Sequence, residues 1–267
     1  MPMRLLHAVL PLLGATLVAC STVVENTHTA EVAEIRPGIL QGYLPMDDPM
    51  ESVAFVPPPP EPGSARQALD DAIAEQAIAL QGSARWELAS QDAHLAFPAA
   101  ADAFSCALGI GINPQDTPAL YRLLRRTVAD LGLAAYSAKN AYQRERPFML
   151  NAQPTCTPDE EEILRQDGSY PSGHTAIGWG WGLLLSQLDP DNAEALVARG
   201  RSFGESRNVC NVHWHSDVVA GRMVAAAAVA RLQTNAEFRA AMAAAAIDIT
   251  SAREQGLPPN RDCDAEA

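Results

Sequence analysis

Residues 117–143 read TPALYRLLRRTVADLGLAAYSAKNAYQ. Apolar residues recur here at three- and four-residue spacing among good helix formers, the pattern of an amphipathic helix with one buried face. Thr117 stands in the cap position and Pro118 at the first helical residue, where a missing N–H costs nothing. The same period runs outward through 64–80 (SARQALDDAIAEQAIAL) and 193–207 (AEALVARGRSFGESR), and further helices are expected in 175–188, 215–233 and 235–252. Period-two runs rich in Val, Ile and Thr are nearly absent. The reading is an all-α chain, a single-domain helical bundle over residues 64–250, followed by a short tail, 251–267, held by Cys263.

With 267 residues and 48% hydrophobic content, the chain can build one sizeable core. Its formal charge of −13 argues against nucleic acid or an anionic lipid surface as partner. An anion would have to be met by a few locally placed cations. The first twenty residues, MPMRLLHAVLPLLGATLVAC, carry one arginine and an apolar stretch too short for a comfortable membrane span and suited to a signal peptide, residues 1–19. Leu17-Val18-Ala19-Cys20 resembles the bacterial lipobox, which implies acylation of Cys20; a plain secretory signal cleaved near Ala19 is the alternative. Ser21 resembles the sorting pattern for the outer membrane. The expected location is therefore periplasmic, lipid-anchored to the outer membrane. Residues 20–63, with the run Pro57 to Pro60, read as a tether and extended arm. No apolar run past residue 20 is long enough to span a membrane, so any membrane contact is through the N-terminal anchor. In an exported protein Cys106, Cys156, Cys210 and Cys263 pair as two disulfides, with three connectivities open and no CxxC spacing for a zinc ribbon.

Three segments carry the chemistry. In SYPSGHTAIGWGWG (169–182), Ser172, Gly173 and His174 fall at the first turn of a helix, where free N–H groups and the dipole favour an anion. In KNAYQRERPF (139–148), Lys139 and Arg146 are two helical turns apart and are expected on one face, with Pro147 ending the helix. In ESRNVCNVHWHSDVV (205–219), Arg207 precedes His213, and Asp217 follows four residues later, so on a helix the carboxylate would fix the imidazole tautomer. The run His213-x-His215-x-Asp217 also resembles a zinc-hydrolase motif, but no His follows His215 and Val218 replaces the histidine that motif wants next. Arg125, Arg126 and Arg144 read as solvated or ion-paired, Trp179, Trp181 and Trp214 as core, and His215 as packing or surface.

Taken together, Lys139-x6-Arg146-Pro147, Pro171-Ser172-Gly173-His174 and Ser206-Arg207-x5-His213-x3-Asp217 resemble the signature of the phosphatidic acid phosphatase type 2 superfamily, which includes the vanadium haloperoxidases. The fuller GSYPSGHTAIGW, KNxYxRxRPF and VCxVHWxSD resemble the bacterial class A nonspecific acid phosphatases, over roughly residues 40–245. The resemblance implies that fold and a metal-independent acid phosphatase acting on small phosphate monoesters. It implies His213 as a nucleophile forming a phosphohistidine, Asp217 orienting it, and His174 as general acid. Lys139, Arg146, Arg207, the Ser172 hydroxyl and the Gly173 amide would hold the phosphoryl oxygens, with no cofactor or metal. Phosphotransfer and nucleotide hydrolysis are further activities of such a seat. The alternatives are a vanadate-dependent haloperoxidase and a zinc hydrolase using the HxHxD run. Because Arg146 and His213 would then share one site, Cys156 is expected to pair with Cys210, leaving Cys106 for Cys263. A homodimer is left open.

Overall fold

The computed structural model describes residues 32–263. The expected signal peptide and the expected acylation site, Cys20, lie outside the described residues. A two-stranded antiparallel hairpin, β1 (Glu34–Arg36) and β2 (Ile39–Leu40), precedes a series of helices. These are α1 (Ala65–Ile78), α2 (Ala84–Asp92), the short α3 (Ala99–Asp102) and α4 (Ser105–Leu108), α5 (Pro118–Leu133), α6 (Tyr136–Tyr142), α7 (Pro147–Asn151), α8 (Glu161–Leu164), α9 (Gly173–Leu188), α10 (Ala193–Val209), α11 (His215–Leu232) and α12 (Ala236–Glu254). The chain is all-α, as its period implied.

α9 occupies the centre because its sequence is apolar on nearly every side, with Ala176, Ile177, Trp181, Leu184 and Leu185 buried. It packs against α10, α11 and α5, and α12 covers α5. It approaches α10 closely at Gly182 and Gly200: a Cβ on Gly182 would lie 3.0 Å from the Leu196 carbonyl and 3.3 Å from Gly200 Cα. Trp181 fills the space beside this crossing, fully buried, and donates its indole N–H to Thr127 Oγ1 at 3.1 Å.

α5 supplies the buried apolar face that its spacing required, including Leu120, Leu123, Leu124 and Leu131. Thr117 holds the cap position, but its hydroxyl is engaged with the 111–113 loop. Asp248 of α12 instead accepts from the amides of Ala119 at 2.7 Å and Leu120 at 3.0 Å, placing a carboxylate at the positive helix end. Two polar residues of α5 bind the arm. Arg126 donates to the carbonyls of Gln41 and Gly42, and Asp130 accepts from the amides of Tyr43 and Leu44. Tyr43 and Val56 enter the main core, so the arm is more than a surface strap.

The run 117–143 is two helices, broken at residues 134–135, and α12 continues to Glu254, past the boundary at 250. Disulfides join Cys106 to Cys263 and Cys156 to Cys210. Among the described residues no helix is long and apolar enough to cross a membrane.

Candidate active site

α6 stops at Tyr142, because Gln143 turns into the left-handed region at φ 45°. Arg146, forced extended by the proline after it, becomes the N-cap of α7, with Pro147 at its first position. Lys139 and Arg146 therefore do not share a helical face, as the spacing had suggested; a turn brings them together. Arg146 is almost fully buried and tied to backbone, donating through Nε to Leu164 O at 2.8 Å and through Nη1 to Val212 O at 3.0 Å. Lys139 donates to the carbonyl of Gly168. One carboxylate oxygen, Asp167 Oδ2, lies 2.8 Å from Lys139 Nζ and 3.3 Å from Arg146 Nη2. Burial, then the charge of Arg146, pushes the Lys139 ammonium down to about 8.

His213 lies in the turn between α10 and α11, one residue before the α11 cap, so its partnership with Asp217 is not the intrahelical pair that four-residue spacing suggested. Asp217 is the third residue of α11 and reaches back across the helix end. Its Oδ2 accepts from the Trp214 amide at 2.8 Å and lies 3.2 Å from His213 Nδ1. On the other side of the ring, His213 Nε2 is 3.1 Å from Arg146 Nη1. A guanidinium only donates, so Nε2 carries the lone pair and Nδ1 the proton. Burial, followed by Arg146, Lys139 and Arg207, holds His213 well below the ordinary histidine value. The same burial raises Asp217, against the pull of Arg144.

Ser172 caps α9, its hydroxyl accepting from Thr175 N at 3.1 Å and Thr175 Oγ1 at 2.9 Å. It is fully buried behind the cleft wall, while Gly173 and His174 line the cleft. His174 Nε2 lies 2.6 Å from the carbonyl of Asp92, which fixes the proton on that nitrogen and leaves Nδ1 as the second site. Its ring stacks on Phe203, and burial followed by the charge of Arg207 holds it well below its ordinary value. Arg207, on α10, is 2% exposed, and its Nε and Nη1 are buried with no acceptor among the described residues. Burial brings it down to about 10. Two unspent donor nitrogens at a buried cation cost roughly 1–3 kcal/mol each unless a ligand takes their protons in hydrogen bonds.

These groups surround a cleft of about 220 Å³ lined by Lys139, Arg146, Arg207, Gly173, His174 and His213. Leu95, Leu133 and Ile177 form apolar walls, with Asp167, Tyr136 and Arg36 also on the lining. His215 lines a different groove, with Pro57, Arg66 and Met223, so the HxHxD run does not converge. Trp179, Trp181 and Trp214 stay out of the cleft lining. Residues assigned no part in the site from the sequence hold it in place. Arg144, buried and ion-paired, donates to Asp217 Oδ1 and Asp70 Oδ2, both at 2.7 Å. Asp70 also accepts from the Ser216 amide and hydroxyl. Asp92, whose carbonyl meets His174, is held by Arg199 and by the Ser206 hydroxyl.

A buried cationic seat with an Asp-oriented histidine on one side and a second histidine on the other can receive a phosphoryl group. Residues 124–239 match the family model described as the PAP2 superfamily. The chain is 44% identical to a non-specific acid phosphatase of Providencia stuartii, over 74% of this chain and 80% of that one. It is 40% identical to an acid phosphatase of Zymomonas mobilis, over 79% and 80%. A non-specific acid phosphatase of Salmonella typhimurium is 42% identical over 74% and 81%. The chain belongs to the PAP2 superfamily and, within it, to the non-specific acid phosphatases.

Proposed function

We propose that the protein hydrolyses phosphate monoesters in two steps through a phosphohistidine, without a metal. The observation that carries this reading is the two-sided hold on His213, with Nδ1 on Asp217 and Nε2 beside Arg146. Lys139, Arg146, Arg207 and the first N–H of α9 hold the phosphoryl oxygens. Preorganised donors stabilise the charge spread over them in the transition state. Nε2 forms a bond to phosphorus as the ester oxygen leaves, and Asp217 stabilises the imidazolium. His174, protonated, gives its proton to that oxygen. Neutral His174 then takes a proton from water, whose oxygen attacks phosphorus and releases Nε2 and orthophosphate. The cations do the work that a divalent metal does elsewhere, so activity should survive exhaustive chelation; loss on chelation with recovery on adding zinc would overturn the metal-free mechanism.

The direct test is acid-labile, base-stable phosphate trapped on His213 from radiolabelled nitrophenyl phosphate and located by peptide mapping. Label on another residue, or turnover preserved in His213→Ala, would refute the intermediate. His174→Ala should slow alkyl phosphates far more than nitrophenyl phosphate, whose leaving group scarcely needs a proton. The N-terminal reading adds export and acylation of Cys20, which mass spectrometry of the mature N-terminus checks.

A further inference from the structure

Asp167 has no place in the mechanism above, yet one of its carboxylate oxygens touches two of the three cations. Oδ2 is 2.8 Å from Lys139 Nζ and 3.3 Å from Arg146 Nη2. The two cations do not depend on it for their position. Lys139 is also held by the Gly168 carbonyl, and Arg146 by the carbonyls of Leu164, Val212 and Asp167 itself. The Asp167 backbone is anchored too, its amide donating to Leu164 O at 3.3 Å. The side chain is the part with room to move: 32% exposed, against 4% for Lys139 and 2% for Arg146.

We propose that Asp167 is an internal competitor for the phosphoryl seat, an anion that exchanges with substrate and product on Lys139 and Arg146 and thereby sets how tightly the enzyme holds orthophosphate. A phosphoryl dianion outbids it by reaching Arg207 as well. The returning carboxylate helps to expel orthophosphate, so product inhibition is weak. The exchange is of ions only, with no covalent step. It rests on the phosphatase reading solely for the identity of the competing anion.

The test is equilibrium binding of orthophosphate and of vanadate by calorimetry at one pH, beside phosphate inhibition of nitrophenyl phosphate turnover. It uses the full chain and its Asp167→Asn, Asp167→Ala and Asp167→Glu variants. Asp159→Asn, at an exposed aspartate in the 3-10 turn (Pro158–Glu160) before α8, controls for the loss of one negative charge. Two part-exposed ion pairs are worth about a five- to tenfold change in anion affinity. Both neutral variants should bind orthophosphate and vanadate tighter by that factor, with KM falling in parallel. Asp167→Glu and Asp159→Asn should stay near the parent. Unchanged or weaker binding in the neutral variants would overturn the proposal and make Asp167 a fixed brace for Lys139. If the parent protein binds neither anion, the cationic seat and the phosphatase reading fall with it.

Discussion

In the proposed mechanism His213 and His174 must hold opposite protonation states, and the same burial pushes both downward. For the nucleophile this is an advantage: His213 is neutral through the mildly acidic range. For the acid it is a limit. As pH rises, His174 loses its proton below the ordinary histidine value of about 6.5, so the alkaline limb of kcat/KM should fall below that pH. A bound phosphoryl dianion raises His174, so the alkaline limb of kcat should lie at higher pH than that of kcat/KM. Paired pH profiles check this, and a plateau above pH 8 would point to a metal hydroxide instead. Arg207 makes a second prediction. Arg207→Met should cut kcat/KM by about 10²–10³, the scale of one lost transition-state donor. It should also leave the melting temperature unchanged or raised, because it removes buried N–H groups that no described residue accepts. Kinetics and calorimetry on one preparation would show both. That Lys139, Arg146, Arg207, Gly173, His174 and His213 would meet in one cleft was readable from the three motifs and their resemblance, although neither the Lys139–Arg146 nor the His213–Asp217 spacing acts through the shared helix it suggested. Asp167 and Asp92 were not readable as site residues, and Arg144 was readable only as solvated or ion-paired, because an aspartate or arginine becomes informative only when its partner is known. The partner of Arg144 on α1 is 74 positions away.

Arg144 joins three elements: the turn after α6, α1 through Asp70, and α11 through Asp217. Arg144→Met would leave two buried carboxylates facing each other without their cation, a cost of about 3–5 kcal/mol in unfolding free energy. Adding Asp70→Asn should recover part of it, as denaturant titration of the double variant would show. Because Arg144 is not on the cleft lining, vanadate affinity should survive in whatever protein folds, while kcat falls through the misplaced His213. Helix existence was readable wherever the apolar period was long. The nine residues of α2 are too few to show one, although α2 ends on the carbonyl that orients His174. The break after α5 and the turn at Gln143 were hidden because the composition stays helix-friendly throughout.

Across the whole molecule, the charge of −13 surrounds a cleft whose working groups are cationic. Two disulfides then divide the labour. Cys156–Cys210 closes a separation of 54 residues and fixes the end of α10 just before His213, whereas Cys106–Cys263 closes 157 and holds the chain's end to α4. By chain entropy each is worth roughly 4–5 kcal/mol. Replacing either pair with alanines should lower the melting temperature, and only loss of Cys156–Cys210 should also raise KM; equal effects on KM would contradict that division.

The carboxylate of Asp248 at the start of α5 ties the middle of the chain to its last helix, 128 to 129 positions later. The two partners are far apart in the chain, so a chain lacking residue 248 leaves the amides of Ala119 and Leu120 without this acceptor. α5 also carries Asp130 and Arg126, the anchors of residues 41–44, so an early and a late part of the described residues meet on one helix. A chain stopped before residue 248 therefore holds every residue that lines the cleft, yet lacks the acceptor that finishes the start of α5.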